Sequence, residues 1–222
     1  MKKIKAVIFD LDGTLLNTIE DIASSANQAL ELLHLQSYST DLYKVMVGDG
    51  VKQLIERLLF RQNASIDLYP ELEKNYLEIY AKNASNKTAP YPGINDLLCF
   101  LNENKISSAV LSNKPHKDTV NVIDYYFRDH PFTKVYGKME GYLPKPDPKK
   151  LNELVSELGV QKEEILYVGD TSTDMQTAQN SGLTKVACLW GFRNFEELQN
   201  ESPDYIVSEP KEIIEIIKKV NQ

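Results

Sequence analysis

Val7-Ile8-Phe9-Asp10-Leu11-Asp12-Gly13-Thr14 is the stretch on which the reading of this chain turns. Its short apolar run, β-branched at Val7 and Ile8, reads as a strand buried on both faces. The run stops at two carboxylates spaced by one residue, then a glycine suited to a sharp turn, then a hydroxyl. Alternate positions of an extended chain point the same way, so Asp10 and Asp12 are expected to face one crevice. In open α/β sheets the carboxyl ends of the strands are where ligands bind. The structural alternative is a strand ended by an Asx-type turn with both acids merely solvated.

Outward from this strand, similar apolar runs recur at 108–111, 165–168, 185–189 and 205–207, separated by amphipathic stretches of helical period. Asp147-Pro148 is expected to open a helix as N-cap and first residue, and Ser181-Gly182 to close one. Such alternation predicts an α/β fold with a doubly wound parallel sheet. Between Asn17 and Ala84 the alternation lapses into helical periodicity, and Ala89-Pro90-Tyr91-Pro92-Gly93 is a turn-rich return. We therefore expect residues 1–16 and 85–222 to form an α/β core and 17–84 an inserted helical unit.

The chain has 222 residues, 25 Lys and Arg against 32 Asp and Glu, and 42% hydrophobic residues. This suits a globular protein with a sizeable core, and the charge of -7 argues against a general nucleic-acid binder. A phosphate site in such a chain must gather cations locally. Cys99 and Cys188 lie in apolar runs without metal or redox spacing and are both expected in the core. The basic start reaches an acid too soon for a signal peptide or a membrane span, which leads us to expect a cytoplasmic protein with no membrane partner. The N-x-Ser patterns at Asn63, Asn83 and Asn200 then carry no chemistry.

Three further stretches follow strands at their carboxyl ends. Ser112-Asn113-Lys114-Pro115 offers a hydroxyl and free N–H groups before a proline-started helix, an anion site or simply a cap. Pro144-Lys145-Pro146 holds a lysine between prolines, either a fixed cation or a rigid surface loop. Gly169-Asp170-Thr171-Ser172-Thr173-Asp174 spaces two acids by four residues, which one face of a starting helix would bring together as metal ligands or as a helix cap. Unrelated structural causes do not place all of these at strand ends. Several carboxylate oxygens suit Mg²⁺, a lysine adds local positive charge, and the chemistry inferred is phosphoryl transfer on a small phosphorylated metabolite. His34, His116 and His130 lie outside these stretches and are read as surface or packing residues.

The order DxDGT, Ser-Asn-Lys, Lys-Pro-x-Pro and GDxxxD resembles the haloacid dehalogenase superfamily over nearly the whole chain. The helical insertion is similar to that family's type C1 cap, which selects substrate. Leu189-Trp190-Gly191-Phe192 is similar to a segment of the phosphoglycolate phosphatase branch. The resemblance implies an Mg²⁺-dependent phosphatase working through an aspartyl-phosphate, with 2-phosphoglycolate the first candidate substrate. It implies Asp10 as nucleophile and Asp12 as general acid and base. Asp10, the Asp12 carbonyl and Asp170 would hold Mg²⁺, with Asp174 behind. Thr14, Ser112 and the Asn113 N–H would bind phosphoryl oxygens, and Lys145 would stabilise their charge. Gly48-Asp49-Gly50, between two cap helices, is either a substrate-facing loop or a plain turn. Asn17-Thr18 departs from the branch's usual Asp-Ser, which bears on substrate choice. Competing expectations are a phosphomutase of the β-phosphoglucomutase type, a pyrophosphatase and a non-enzymatic phosphoaspartate signalling domain; the inserted unit and Asp12 argue against the last.

Overall fold

A computed structural model describes residues 2–222. The chain enters through β1 (Ala6–Phe9) and β2 (Leu16–Asn17), then forms four helices in succession. These are α1 (Ile19–Leu32), α2 (Thr40–Lys44), α3 (Val51–Arg61) and α4 (Tyr69–Asn83). It returns through β3 (Ala89–Pro90) into α5 (Ile94–Glu103), β4 (Ser107–Pro115), α6 (His116–Tyr126) and β5 (Lys134–Lys138). Then follow α7 (Lys149–Leu158), β6 (Ile165–Gly169), α8 (Ser172–Ser181) and β7 (Thr184–Cys188). Last come α9 (Phe195–Asn200), β8 (Tyr205–Val207) and α10 (Pro210–Asn221).

Six strands form one sheet in the order β5-β4-β1-β6-β7-β8, every neighbouring pair parallel. Alternation along the strands explains why both faces are apolar. Val7, Phe9, Val110, Leu166 and Val168 face a cluster completed by α5, α6 and α10. Ala6, Ile8, Ala109, Leu111 and Tyr167 face a second, built with α7 and α8. The sheet is the doubly wound α/β arrangement the apolar runs predict. Order reverses about β1, between β4 and β6, which opens a crevice at the carboxyl ends of those three strands.

Helices α1 to α4 bury a separate apolar cluster of their own, including Ile22, Ala26, Leu58 and Tyr76, which Phe192 from the loop after β7 also enters. The chain leaves for these helices and returns from them along β2 and β3, an antiparallel two-stranded pair. Asp21, in the first turn of α1, is buried and accepts from the backbone N–H of Lys87 (3.0 Å) and of Thr88 (2.8 Å) and from the Thr88 hydroxyl (2.8 Å). One carboxylate thereby fixes the returning chain to the departing helix.

Three expectations need correction. Cys99 is exposed, because Ile94, Leu97, Leu98 and Leu101 take the inner stripe of α5 and turn position 99 outward. Cys188 is buried. The helix expected to open with Pro148 as its first residue starts at Lys149, with Pro148 as N-cap and the Asp147 carboxylate accepting from the Lys149 N–H at 3.0 Å. Ser112 and Asn113 lie within β4, which runs to Pro115 with a register shift after Leu111, so they are not at a helix N-terminus. Gly182 closes α8 in the left-handed conformation, φ 69°, as the sequence suggests. Asp21→Ala strands the buried Thr88 N–H and hydroxyl and the part-buried Lys87 N–H, and is expected to cost about 3 kcal/mol in denaturant unfolding. Asp21→Asn should cost less, and an unchanged midpoint for the alanine variant would show that the tie carries no stability.

Candidate active site

The end of β1 delivers Asp10 and the end of β6 delivers Asp170, with β4 lying beside β1 on its other flank. Gly13 turns the chain after β1 at φ 87°, and a Cβ there would collide with the Asp170 carboxylate. Only glycine lets the two segments approach this closely. Thr171 caps α8, accepting from the Asp174 N–H, while Asp174 Oδ2 accepts in return from the Thr171 N–H (3.1 Å) and hydroxyl (2.6 Å). This capping box, rather than a shared helical face, swings Asp174 back beside Asp170.

The result is a buried cluster of three carboxylates, Asp10, Asp170 and Asp174, with oxygens all within 4.8 Å of one another. Among the described residues its one partner cation is Lys145, whose Nζ lies 2.8 Å from Asp10 Oδ1 and 2.7 Å from Asp174 Oδ1. The Lys145 ammonium also donates to the Leu111 carbonyl (3.1 Å). Its contact with Asp10 is an ion pair without hydrogen-bond alignment, which leaves that buried oxygen short of a donor. Asp170 is held by the Thr14 hydroxyl (2.9 Å) and the Phe192 N–H (2.8 Å).

Charge is unbalanced here. Burial, with the Asp174 charge second, pushes the Asp10 carboxyl up to about 7 against the pull of Lys145. Burial followed by Asp174 and Asp10 raises Asp170 well above the carboxylate range. Burial opposes the charge on Lys145, but Asp10 and Asp174 outweigh it and keep the ammonium protonated. Oxygen donors of this number, short of positive charge and partly short of hydrogen bonds, fit a hard divalent cation such as Mg²⁺.

Above the cluster opens a cleft, lined on the sheet side by Asp10, Asp12, Ser112 and Asn113. Helices α1, α3 and α4 and the loop before α3 supply the opposite wall. Asn113 ties the two sides together: its amide donates to the Gly48 carbonyl (3.1 Å) and its Oδ1 accepts from the Lys145 N–H (2.8 Å). Gly48 and Gly50 line the cleft at positive φ, 111° and 91°. Asp49 is turned aside, accepting from Thr173 and paired with Arg57.

Among the site residues the sequence suggests, Asp10, Asp12, Ser112, Asn113, Lys145, Asp170 and Asp174 thus converge. Thr14 does not join them in the cleft. It is buried beneath it, its hydroxyl engaged with Asp170, which places it to orient that acid and not to bind phosphoryl oxygens. Sequence reasoning assigned no role to Lys114, yet its buried Nζ sits 3.1 Å from Asp12 Oδ1 and 2.6 Å from the Tyr80 hydroxyl. Its place directly after Ser112-Asn113 was the available signal. His116 and His130 lie outside the cleft, bonded to the Gly137 N–H (3.3 Å) and the Ser108 hydroxyl (2.6 Å).

The chain belongs to the haloacid dehalogenase-like hydrolases, whose family model matches residues 7–188. Within that class it is phosphoglycolate phosphatase-like. It is 31% identical to a phosphoglycolate phosphatase of Vibrio cholerae serotype O1, over 98% of both chains, and 30% identical to one of Aquifex aeolicus over 96% of this chain and 97% of that one. A provisionally named phosphoglycolate phosphatase from Lactobacillus delbrueckii subsp. bulgaricus superposes with TM-score 0.92 at 30% identity, covering 97% of this chain and 98% of that one. No helix among the described residues is long and apolar enough to cross a membrane.

Without a metal, the raised carboxyls set a pH dependence. A folded-state value near 7 against an unfolded value near 4 means that the fold holds a proton the unfolded chain releases, so stability falls as pH rises from about 4 through 7. In chelator, the melting temperature of the wild type is expected to fall more steeply over that range than that of Asp10→Asn. Parallel curves would show that Asp10 is not strained by its neighbours.

Proposed function

We propose that this hydrolase removes phosphate from a small phosphomonoester through an aspartyl-phosphate on Asp10. The observation that carries the reading is the Asp10–Lys145–Asp174 arrangement beside Asp170, at the floor of a cleft that Asp12, Ser112 and Asn113 also line. Mg²⁺ would be held by Asp10, the Asp12 carbonyl and Asp170, with Asp174 supporting from behind. When bound, it supplies charge neutralisation for the phosphoryl oxygens.

The chain's own groups do the rest. Asp10 Oδ attacks phosphorus and the ester P–O bond breaks. Asp12 gives its proton to the departing alkoxide oxygen, then takes one from the water that attacks the aspartyl-phosphate and releases inorganic phosphate. Lys145 keeps Asp10 in place and offsets the charge that gathers on the phosphoryl group, while Ser112 and the Asn113 N–H meet its oxygens. Thr14 and the Phe192 N–H hold Asp170 in position. Residues 17–84 act as a cap that encloses the leaving group and selects it, with Gly48 and Gly50 at the lip. The names of the relatives make 2-phosphoglycolate the first substrate to test.

Phosphate release from a panel of monoesters and pyrophosphate, with Mg²⁺ and with chelator, tests the reading. Metal-dependent release is expected, with Asp10→Asn at least about 1,000-fold slower and still folded. An Asp10→Asn variant as active as wild type would remove the nucleophile. For Asp12→Asn we expect phosphate trapped on the protein and released slowly, detectable by intact mass; rapid turnover without trapping would refute its acid-base role.

A further inference from the structure

Lys114 is the charged side chain of the cleft to which the chemistry above gives no task that its burial would explain. It is only 7% exposed, and a buried ammonium is costly unless anions or hydrogen bonds compensate it. Its Nζ bridges the two sides of the cleft. On the sheet side it contacts both oxygens of Asp12, at 3.1 and 3.2 Å, and on the helical side the Tyr80 hydroxyl at 2.6 Å, lying 4.4 Å from the Tyr80 ring centre. Asp12 is the group proposed to protonate the leaving oxygen, so Lys114 stands where the alcohol part of the substrate must lie, apart from the Lys145 that serves the phosphoryl group.

The character of the surroundings narrows what that alcohol part can be. Among the described residues lining the cleft, Lys114 is the sole cation, against the carboxylates of Asp10, Asp12 and Asp118. An added negative charge on the substrate therefore has one partner available. Asp118 disfavours substrates that carry several more. The side chains of the helical wall are aliphatic apart from Tyr76 and Tyr80, which offer two hydroxyls. A sugar phosphate would leave most of its hydroxyls without partners there, a penalty that polar recognition sites exploit for rejection.

We propose that Lys114, steadied by Tyr80, is a second-anion subsite that makes the enzyme select phosphomonoesters of short hydroxy acids, the substrate carboxylate taking the position by the ammonium that Asp12 occupies here. The inference rests on the phosphatase reading and goes further by naming the specificity-determining residue. It also accounts for the lysine's position across the seam between sheet and helices, since a substrate held there touches both.

The test compares 2-phosphoglycolate with 2-hydroxyethyl phosphate, an ester of nearly the same shape whose second end is neutral. Wild type should favour phosphoglycolate in kcat/KM by about 100-fold. Lys114→Met should collapse that ratio to within about tenfold, mainly through KM for phosphoglycolate, and Lys114→Arg should restore part of it. Tyr80→Phe, which keeps the ring, should lower the ratio several-fold and serves as the second variant if Lys114→Met does not fold. A ratio unchanged in Lys114→Met, or in Tyr80→Phe where only that variant folds, overturns the subsite. So does a wild type that prefers the neutral ester. If wild type releases phosphate from neither ester nor from p-nitrophenyl phosphate with Mg²⁺ present, the phosphatase reading itself has failed and the subsite falls with it.

Discussion

The ammonium of Lys145 holds the centre of this molecule together. It reaches Asp10 from β1 and Asp174 from α8, and its backbone N–H is fixed by Asn113 from β4. Three separate segments, brought together only by the parallel sheet, thus meet on one residue. Removing the cation would leave buried carboxylates facing one another, and mutual repulsion in a poorly solvated space is among the most destabilising arrangements a fold can contain. The sheet order matters for the same reason. With β1 flanked by β4 and β6, the loops that follow these three strands open onto the same crevice, and no other gap in this sheet offers that convergence.

Much of the sheet was legible in the sequence because burial on both faces leaves an uninterrupted apolar run. That holds for β1, β6 and most of β4. Strand β5, Lys-Val-Tyr-Gly-Lys, went unseen for the opposite reason: it lies at the edge, is mostly half-buried and carries a lysine at each end. The two-residue strands β2 and β3 have no pattern to read, since their pairing is decided by where the chain must cross, not by side-chain period. In the same way Asp21 reads only as an acid near a helix start, although its partners lie 66 and 67 residues onward.

The site was legible to the extent that its residues sit next to strand ends. Asp10, Asp12 and Asp170 are of this kind, whereas Ser112 lies within β4 and Lys145 on the loop between β5 and α7. What could not be read locally is which way a side chain turns. Thr14 follows the two acids closely yet faces inward to Asp170, because the turn at Gly13 reverses the chain. Asp49 sits between two glycines of the cleft lip and still points away, because Thr173 and Arg57 claim its carboxylate. Lys114 and Tyr80 meet across 34 residues of sequence, and helical spacing alone makes Tyr80 a partner of Tyr76.

The paired crossings β2 and β3 have a mechanical consequence. Because the helical unit is joined to the sheet by two strands lying side by side, its covalent attachment is a line rather than two separated points. A body fastened along a line keeps one easy degree of freedom, rotation about that line, while sliding and twisting stretch the pair. The width of the opening over the acids is then governed by a single angle. The contacts that restrain this angle bridge the cleft: Asn113 to the Gly48 carbonyl, Arg193 to the Val47 carbonyl, Thr173 to Asp49 and Lys114 to Tyr80.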